Sequence, residues 1–95
     1  MNNWHNKDTD LLCDALLKLK NVDEAYAFLE DVCTIKEIKD LSQRLRVAKM
    51  LREGTSYLQI SRETGASTAT ISRVSRCLEY GAGGYKTVLE RSNED

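Results

Sequence analysis

Residues 56–78 read SYLQISRETGASTATISRVSRCL, two short helical patterns separated by a single glycine. Ser56 followed three residues later by Gln59 has the spacing of a capping box, which predicts a helix over about Tyr57–Thr64 ending at Gly65. Only Ala66 and Ser67 remain before Thr68 opens a second helix. Two helices joined by so tight a turn make a helix-turn-helix candidate. The apolar positions sharpen the assignment. Ile60 on the first helix, Ala66 in the turn, and Ile71, Val74 and Leu78 on the second fall where a small wedge between the helices needs them. Ser67, Thr68, Ala69, Ser72, Arg73 and Arg76 are left outward on the second helix. A helix entering the major groove must bring its backbone close to the bases, so its first turns need short hydroxyls and methyls rather than long side chains. The run ASTAT, residues 66–70, meets that need. Two plainer readings stand beside this one: Ser67 would cap a helix in any protein, and helix-turn-helix shapes also occur in proteins that bind only proteins.

Outward from this stretch, the chain reads as helical throughout. Its 95 residues include no proline and five glycines, and Leu, Ala, Lys, Arg and Glu dominate, which predicts an all-α domain. Upstream, IKEIKDLSQRLRVAKMLREG, residues 35–54, is the longest helical pattern. Ile38, Leu41, Leu45, Ala48 and Leu51 are expected inward, Lys39, Arg46, Lys49 and Arg52 outward, and Gly54 stops the helix in a left-handed turn. Thr34 with Glu37 has capping-box spacing at its start, and Asn21 with Glu24 repeats the device ahead of VDEAYAFLEDVC, residues 22–33, whose stripe is Val22, Ala25, Tyr26 and Leu29. In DTDLLCDALLKLK, residues 8–20, Leu12, Ala15, Leu16 and Leu19 make a stripe that Leu11 and Leu17 widen beyond a surface helix's need. Such a helix is expected between other helices or between subunits. Downstream, YGAGGY, residues 80–85, reads as a joint before a last helix in YKTVLERSNED, residues 85–95, with Val88 and Leu89 packed and an exposed acidic tail.

Composition narrows the setting. A lone domain of this length buries only about 60–70% of the surface its unfolded chain exposes, so a partner chain would add useful burial. No run approaches the ~20 apolar residues of a membrane span, and MNNWHNKDTD lacks the apolar centre of a signal peptide, which predicts a cytoplasmic protein without membrane contact. Cys13, Cys33 and Cys77 are odd in number and far apart, pointing to reduced, mostly buried thiols rather than disulfides or zinc. His5 sits beside Trp4 in what reads as a mobile polar arm, and no acid, nucleophile or metal ligand stands at a meaningful spacing from it. YGAGGY lacks the lysine of a nucleotide loop. An enzyme is therefore not expected, and neither a catalytic nor a metal site is assigned. The net charge of −1 is unevenly spread: residues 1–41 carry five Lys/Arg against nine Asp/Glu, residues 42–78 seven against two, and residues 79–95 two against four. The positive excess coincides with the helix-turn-helix, where it suits nucleic acid. The competing function is a helical interaction module docking an acidic partner such as a component of the transcription machinery.

LSQRLRVAKMLREG followed by SYLQISRETGASTATISRVSRCL resembles the Trp repressor superfamily, and the second block is most similar to its YerC/YecD-type members. The resemblance runs from about Thr34 to Leu78, nearly half the chain, with GASTATISR its most specific part and QRLR the next. The two blocks differ by one residue in their spacing from the tryptophan-sensing repressors, around Arg52–Gly54.

The resemblance implies a single domain over residues 1–95 with six helices: N-terminal helices and dimer core over 1–53, the helix-turn-helix over 56–78, and a C-terminal helix and tail over 84–95. It implies an intertwined homodimer that acts as a repressor of transcription on a pseudo-palindromic double-stranded operator. By position, Thr68, Ala69 and Ser72 face bases, Thr70 and Arg62 lie at or near phosphates, and Ser67, Arg73 and Arg76 complete that surface. Where the tryptophan-sensing repressors carry basic residues on the first helix, this chain has Leu58 and Ser61, which shifts contacts toward Tyr57, Gln59 and Arg76.

The same resemblance places Arg44, Arg73 and Thr34 where the sensors hold tryptophan as corepressor. The rest of that pocket departs from the pattern: Val74 stands where the sensors have glycine, and Cys77 where they have serine. A branched side chain in a ligand slot excludes the ligand at a cost of several kcal/mol, which argues against tryptophan and leaves a different small effector, or none, as the alternatives. Arg44 also stands four residues from Asp40, the spacing of a simple helix ion pair.

Overall fold

The buried side chains of this molecule are gathered around the turn at Gly65. The computed structural model describes residues 3–91 and contains six α-helices: α1 (Lys7–Leu17), α2 (Val22–Val32), α3 (Ile35–Arg52), α4 (Tyr57–Thr64), α5 (Thr68–Tyr80) and α6 (Gly84–Arg91). The all-α expectation and the helix order hold. Two units are distinguishable, one running to Ile35 and one from Lys36 onward.

In the second unit the core consists of Val47, Ala48 and Met50 from α3, Ile60 from α4, Ala66 in the turn, and Ile71 and Val74 from α5. Leu51, Leu78, Tyr85 and Leu89 pack against it at its edge. The wedge expected from the spacing of Ile60, Ala66, Ile71, Val74 and Leu78 is thus present. The inward face expected for α3 is corrected. Leu41 and Leu45 are 47% and 41% exposed, whereas Val47 and Met50, absent from the expected stripe, are buried with Ala48. α3 is apolar on more than one side, so helical periodicity cannot choose the side; α4 and α5 choose it by packing against Val47 and Ala48. Val88, expected to pack, is likewise exposed, while Leu89 beside it is packed. The acidic end of the chain lies outside the described residues.

α3 stops as its sequence requires. Gly54 adopts φ +83°, the Thr55 N–H reaches the Met50 carbonyl at 3.0 Å and the Gly54 N–H the Leu51 carbonyl at 3.1 Å. This is the paired hydrogen bonding of a Schellman ending.

The first unit is built on its caps. Asn6 Oδ1 accepts from the N–H groups of Asp8 and Thr9, while Thr9 Oγ1 accepts from the Asn6 N–H at 2.8 Å and donates to the Trp4 carbonyl at 3.0 Å. The stretch read as a mobile arm is therefore tied down from Trp4, whose ring stands edge-on to His5. Asn21 Oδ1 accepts from the Glu24 N–H, but the Glu24 carboxylate accepts from the Lys20 N–H rather than from that of Asn21. Neither α1 nor α2 contains a buried residue, and Leu11, Leu17, Val22 and Tyr26 are among the exposed apolar side chains. The cysteines correct a further expectation. All three are free, yet Cys13 and Cys77 are exposed and Cys33 is only half-buried, because they lie on faces that a single chain leaves uncovered.

Candidate DNA interface

The helix-turn-helix is fixed by its own short side chains. Ser56 Oγ accepts from the Gln59 N–H at 3.2 Å and so caps α4. The reciprocal half of the expected capping box is missing, because the Gln59 amide turns along the helix to the Glu63 carboxylate at 2.8 Å. Gly65 ends α4 at φ +76°, a conformation in which a side chain would be strained. Thr64 Oγ1 donates to the Ile60 carbonyl and accepts from the Ala66 N–H, while Ser61 Oγ donates to the Ala66 carbonyl. Ser67 Oγ then accepts from the Thr70 N–H at 3.1 Å and donates to the Thr70 hydroxyl, which opens α5. The capping reading of Ser67 is realised whatever else that residue does.

Two residues of α3 reach into this arrangement. The Gln43 side-chain amide donates to the Thr64 carbonyl at 3.0 Å, and the Arg46 guanidinium donates to the Glu63 carbonyl at 3.3 Å while lying 3.6 Å from the Glu63 carboxylate. From the sequence, QRLR marks the family resemblance and Arg46 is expected outward with Lys39, Lys49 and Arg52. A pair of polar residues three apart on a helix carries no signal of which backbone they will meet.

On the outer surface, Ser67, Thr68, Ala69, Arg73 and Arg76 of the α5 region and Tyr57, Gln59 and Arg62 of α4 are exposed, while Thr70 and Ser72 are half-buried. The first turn of α5 contains no acidic residue, so the positive end of its dipole is not offset where a phosphate would approach. Charge pairing separates the cations into two groups. Arg46 and Arg52 are engaged by Glu63 and Glu90. Arg62, Arg73 and Arg76 have no ion pair among the described residues.

The residues assigned to a ligand are only partly brought together. Arg44 and Cys77 line an apolar cleft of about 610 Å³, with Leu41 and Leu45 of α3, the glycine joint after α5, and Tyr85 and Val88 of α6 completing it. Arg73 lines a separate depression of about 310 Å³ with Arg76 and Tyr80, and the two share Cys77 and Gly81. Thr34 belongs to the first unit. Val74 is 1% exposed and part of the core. The Asp40–Arg44 pair that the spacing allows is not the one formed: Lys36 lies 2.8 Å from Asp40, and its hydrogen bond holds the Asp40 carboxyl below the ordinary aspartate range. Lys36 stands four residues ahead of Asp40, so both spacings were available and the sequence did not discriminate between them. The part played by the glycine joint, Tyr85 and Val88 in walling the cleft has no signal in the sequence, where they read only as a linker and a terminal helix.

No helix among the described residues is long and apolar enough to cross a membrane. A Bacillus subtilis (strain 168) protein, YerC, itself uncharacterized, is 56% identical over 88 residues, covering 93% of this chain and 85% of its own length. A TrpR-like protein from Eubacterium eligens superposes with a TM-score of 0.93 at 57% identity, over 98% of this chain and 96% of that one. A Staphylococcus aureus protein, solved by crystallography as a candidate Trp repressor, gives a TM-score of 0.93 at 48% identity over 99% of this chain and 94% of that one. The profile of the Trp repressor protein family matches residues 7–93, and proteins of this kind are DNA-binding regulators, not enzymes. With that match spanning nearly the whole chain, and with a helix-turn-helix whose wedge is sealed and whose outer face is short and cationic, the chain belongs to the Trp repressor family.

Proposed function

We propose that this chain is a sequence-specific transcriptional repressor of the cytoplasm, binding a pseudo-palindromic operator as a homodimer through α4, the Gly65 turn and α5. The observation that carries the reading is the division of α5: Ile71 and Val74 are sealed in the core, while Thr68 and Ala69 at its start are exposed. Thr68, Ala69 and Ser72 meet base edges, and Arg62, Arg73, Arg76 and Thr70 meet phosphates, with Tyr57 and Gln59 at the margin. Phosphate contacts orient such a protein and base contacts choose its site. The uncovered apolar faces of α1 and α2 suit a dimer core over residues 1–53, with the 56–78 segments as heads and 84–95 as a C-terminal element. Two-fold symmetry then sets half-sites about one helical turn apart or a multiple of it.

Tryptophan is not the effector in this reading. Val74 occupies, within the sealed wedge, the place that the resemblance gives to a glycine beside the ligand. The wedge itself then holds α5, and any effector is a different small molecule using Arg44, Arg73 or Cys77. The test is selection of genomic fragments by the purified protein at near-physiological salt, with and without added tryptophan. One palindrome enriched equally in both arms is the expected result. Enrichment only with tryptophan overturns the effector reading, and no enrichment in either arm leaves a different required effector or a protein-docking module as the better account.

A further inference from the structure

The carbonyls in the last turn of a helix lack partners within that helix and must be satisfied from outside it. In α4 the last two, of Glu63 and Thr64, lie immediately before the Gly65 turn that aims α5. Both are satisfied from α3, by Arg46 and by Gln43. The Gln43 bond is the shorter and is partly buried, and its amide nitrogen lies 4.0 Å from where a Cβ on Gly65 would stand. This amide therefore covers the turn and bonds to the residue before it. Arg46 adds a longer, exposed bond and a carboxylate contact to the same end of α4. The turn's other polar ties, from Ser61 and Thr64, are internal to the helix-turn-helix and cannot fix its direction relative to α3. Apolar wedge contacts resist separation but are non-directional. A hydrogen bond with a strong angular preference supplies the missing constraint.

We propose that Gln43 is a positioning residue for DNA recognition, its side-chain amide fixing the end of α4 to α3 so that α5 meets the operator at one angle. This rests on the reading of α5 as the recognition helix. Gln43 touches no DNA in this account. It acts through Thr64 and the Gly65 turn, and Arg46 contributes the weaker second tie. The consequence is specific. Loss of the amide donor should cost discrimination between sequences, which needs a fixed angle, and leave attraction to the phosphate backbone, which does not.

The test compares the full-length protein with Gln43→Met, which keeps the chain length and removes the donor, and with Gln43→Glu, which directs a carboxylate at the Thr64 carbonyl. Circular dichroism and thermal melting first establish that each variant is folded. Affinities are then measured for the selected palindrome and for an unrelated duplex at one salt concentration, alongside amide proton exchange at Gly65 and Ala66. For Gln43→Met the specific-to-nonspecific ratio should fall about five- to tenfold, the value of one net hydrogen bond, with the unrelated duplex bound as before. Exchange at Gly65 and Ala66 should quicken by a similar factor, and Gln43→Glu should exceed both effects. Equal losses on both duplexes, or an unchanged ratio, would overturn the proposal and leave Gln43 a structural residue only. If the wild type prefers no duplex, the recognition reading has failed on its own; unchanged exchange would then overturn the positioning role as well, while quickened exchange would uphold the tie to α4.

Discussion

The helix-turn-helix and the N-terminal helices are both rich in aliphatic residues and use them in different ways. Around Gly65, Ile60, Ile71 and Val74 lose essentially all contact with solvent within one chain. In α1, Leu11 and Leu17 remain 67% and 84% exposed, and nothing in α1 or α2 is buried. The difference teaches where each region obtains its stability. The wedge closes on short sequence separations and needs no other chain. α1 and α2 rely on end caps such as Asn6 and Asn21, each contributing about 1 kcal/mol, and isolated helices of this length are marginal in water. Their leucines await a surface, and the proposed second copy supplies one.

The comparison can be broken most severely at α1. Leu16→Glu should weaken self-association on the order of 100-fold or more, since a two-fold interface counts each lost leucine twice, and sedimentation across a concentration series measures it. If association is unchanged, α1 does not owe its stability to a partner. Ile71→Ala attacks the opposite region. It should lower stability to urea by about 2–5 kcal/mol through a cavity in the wedge, with little effect on self-association. A loss of both together would mean that the two regions are not independent.

Smaller changes sharpen the division within the proposed interface. Thr68→Val should alter preference at one position of the selected site by about 1–3 kcal/mol, read from binding to a set of single-base variants. Arg62→Ala should instead weaken every duplex alike and reduce the salt dependence by about one phosphate contact. The smallest effect is expected at Lys36→Ala. The Asp40 carboxyl sits below its ordinary range because of the Lys36 hydrogen bond, so the stability it contributes is present above the ordinary aspartate value and lost as pH falls through the lowered one. Removing Lys36 should flatten that acid limb slightly, as followed by pH-dependent melting, and leave the neutral-pH melting temperature nearly unchanged.

Much of this molecule is written locally. The residues Ser56, Gly65 and Ser67 specify the start, stop and restart of two helices because capping and left-handed turns act over three or four residues. The wedge at Ile60, Ala66, Ile71 and Val74 follows from spacing, because the Gly65 turn between two short helices leaves few registers in which their apolar residues can meet. The short outward face at Thr68 and Ala69 was legible for the same reason. Tertiary structure alone decided the rest. α3 is apolar on more than one side, so only the packing of α4 and α5 selects Val47 and Met50 over Leu41 and Leu45. Lys36 rather than Arg44 takes Asp40, a choice between two equally spaced partners. Gln43 and Arg46 reach carbonyls 21 and 17 residues away, and Tyr85 and Val88 wall a cleft with Arg44. Sequence spacing reports neighbours along a helix, whereas these contacts depend on how separate helices cross, and no local propensity encodes that angle.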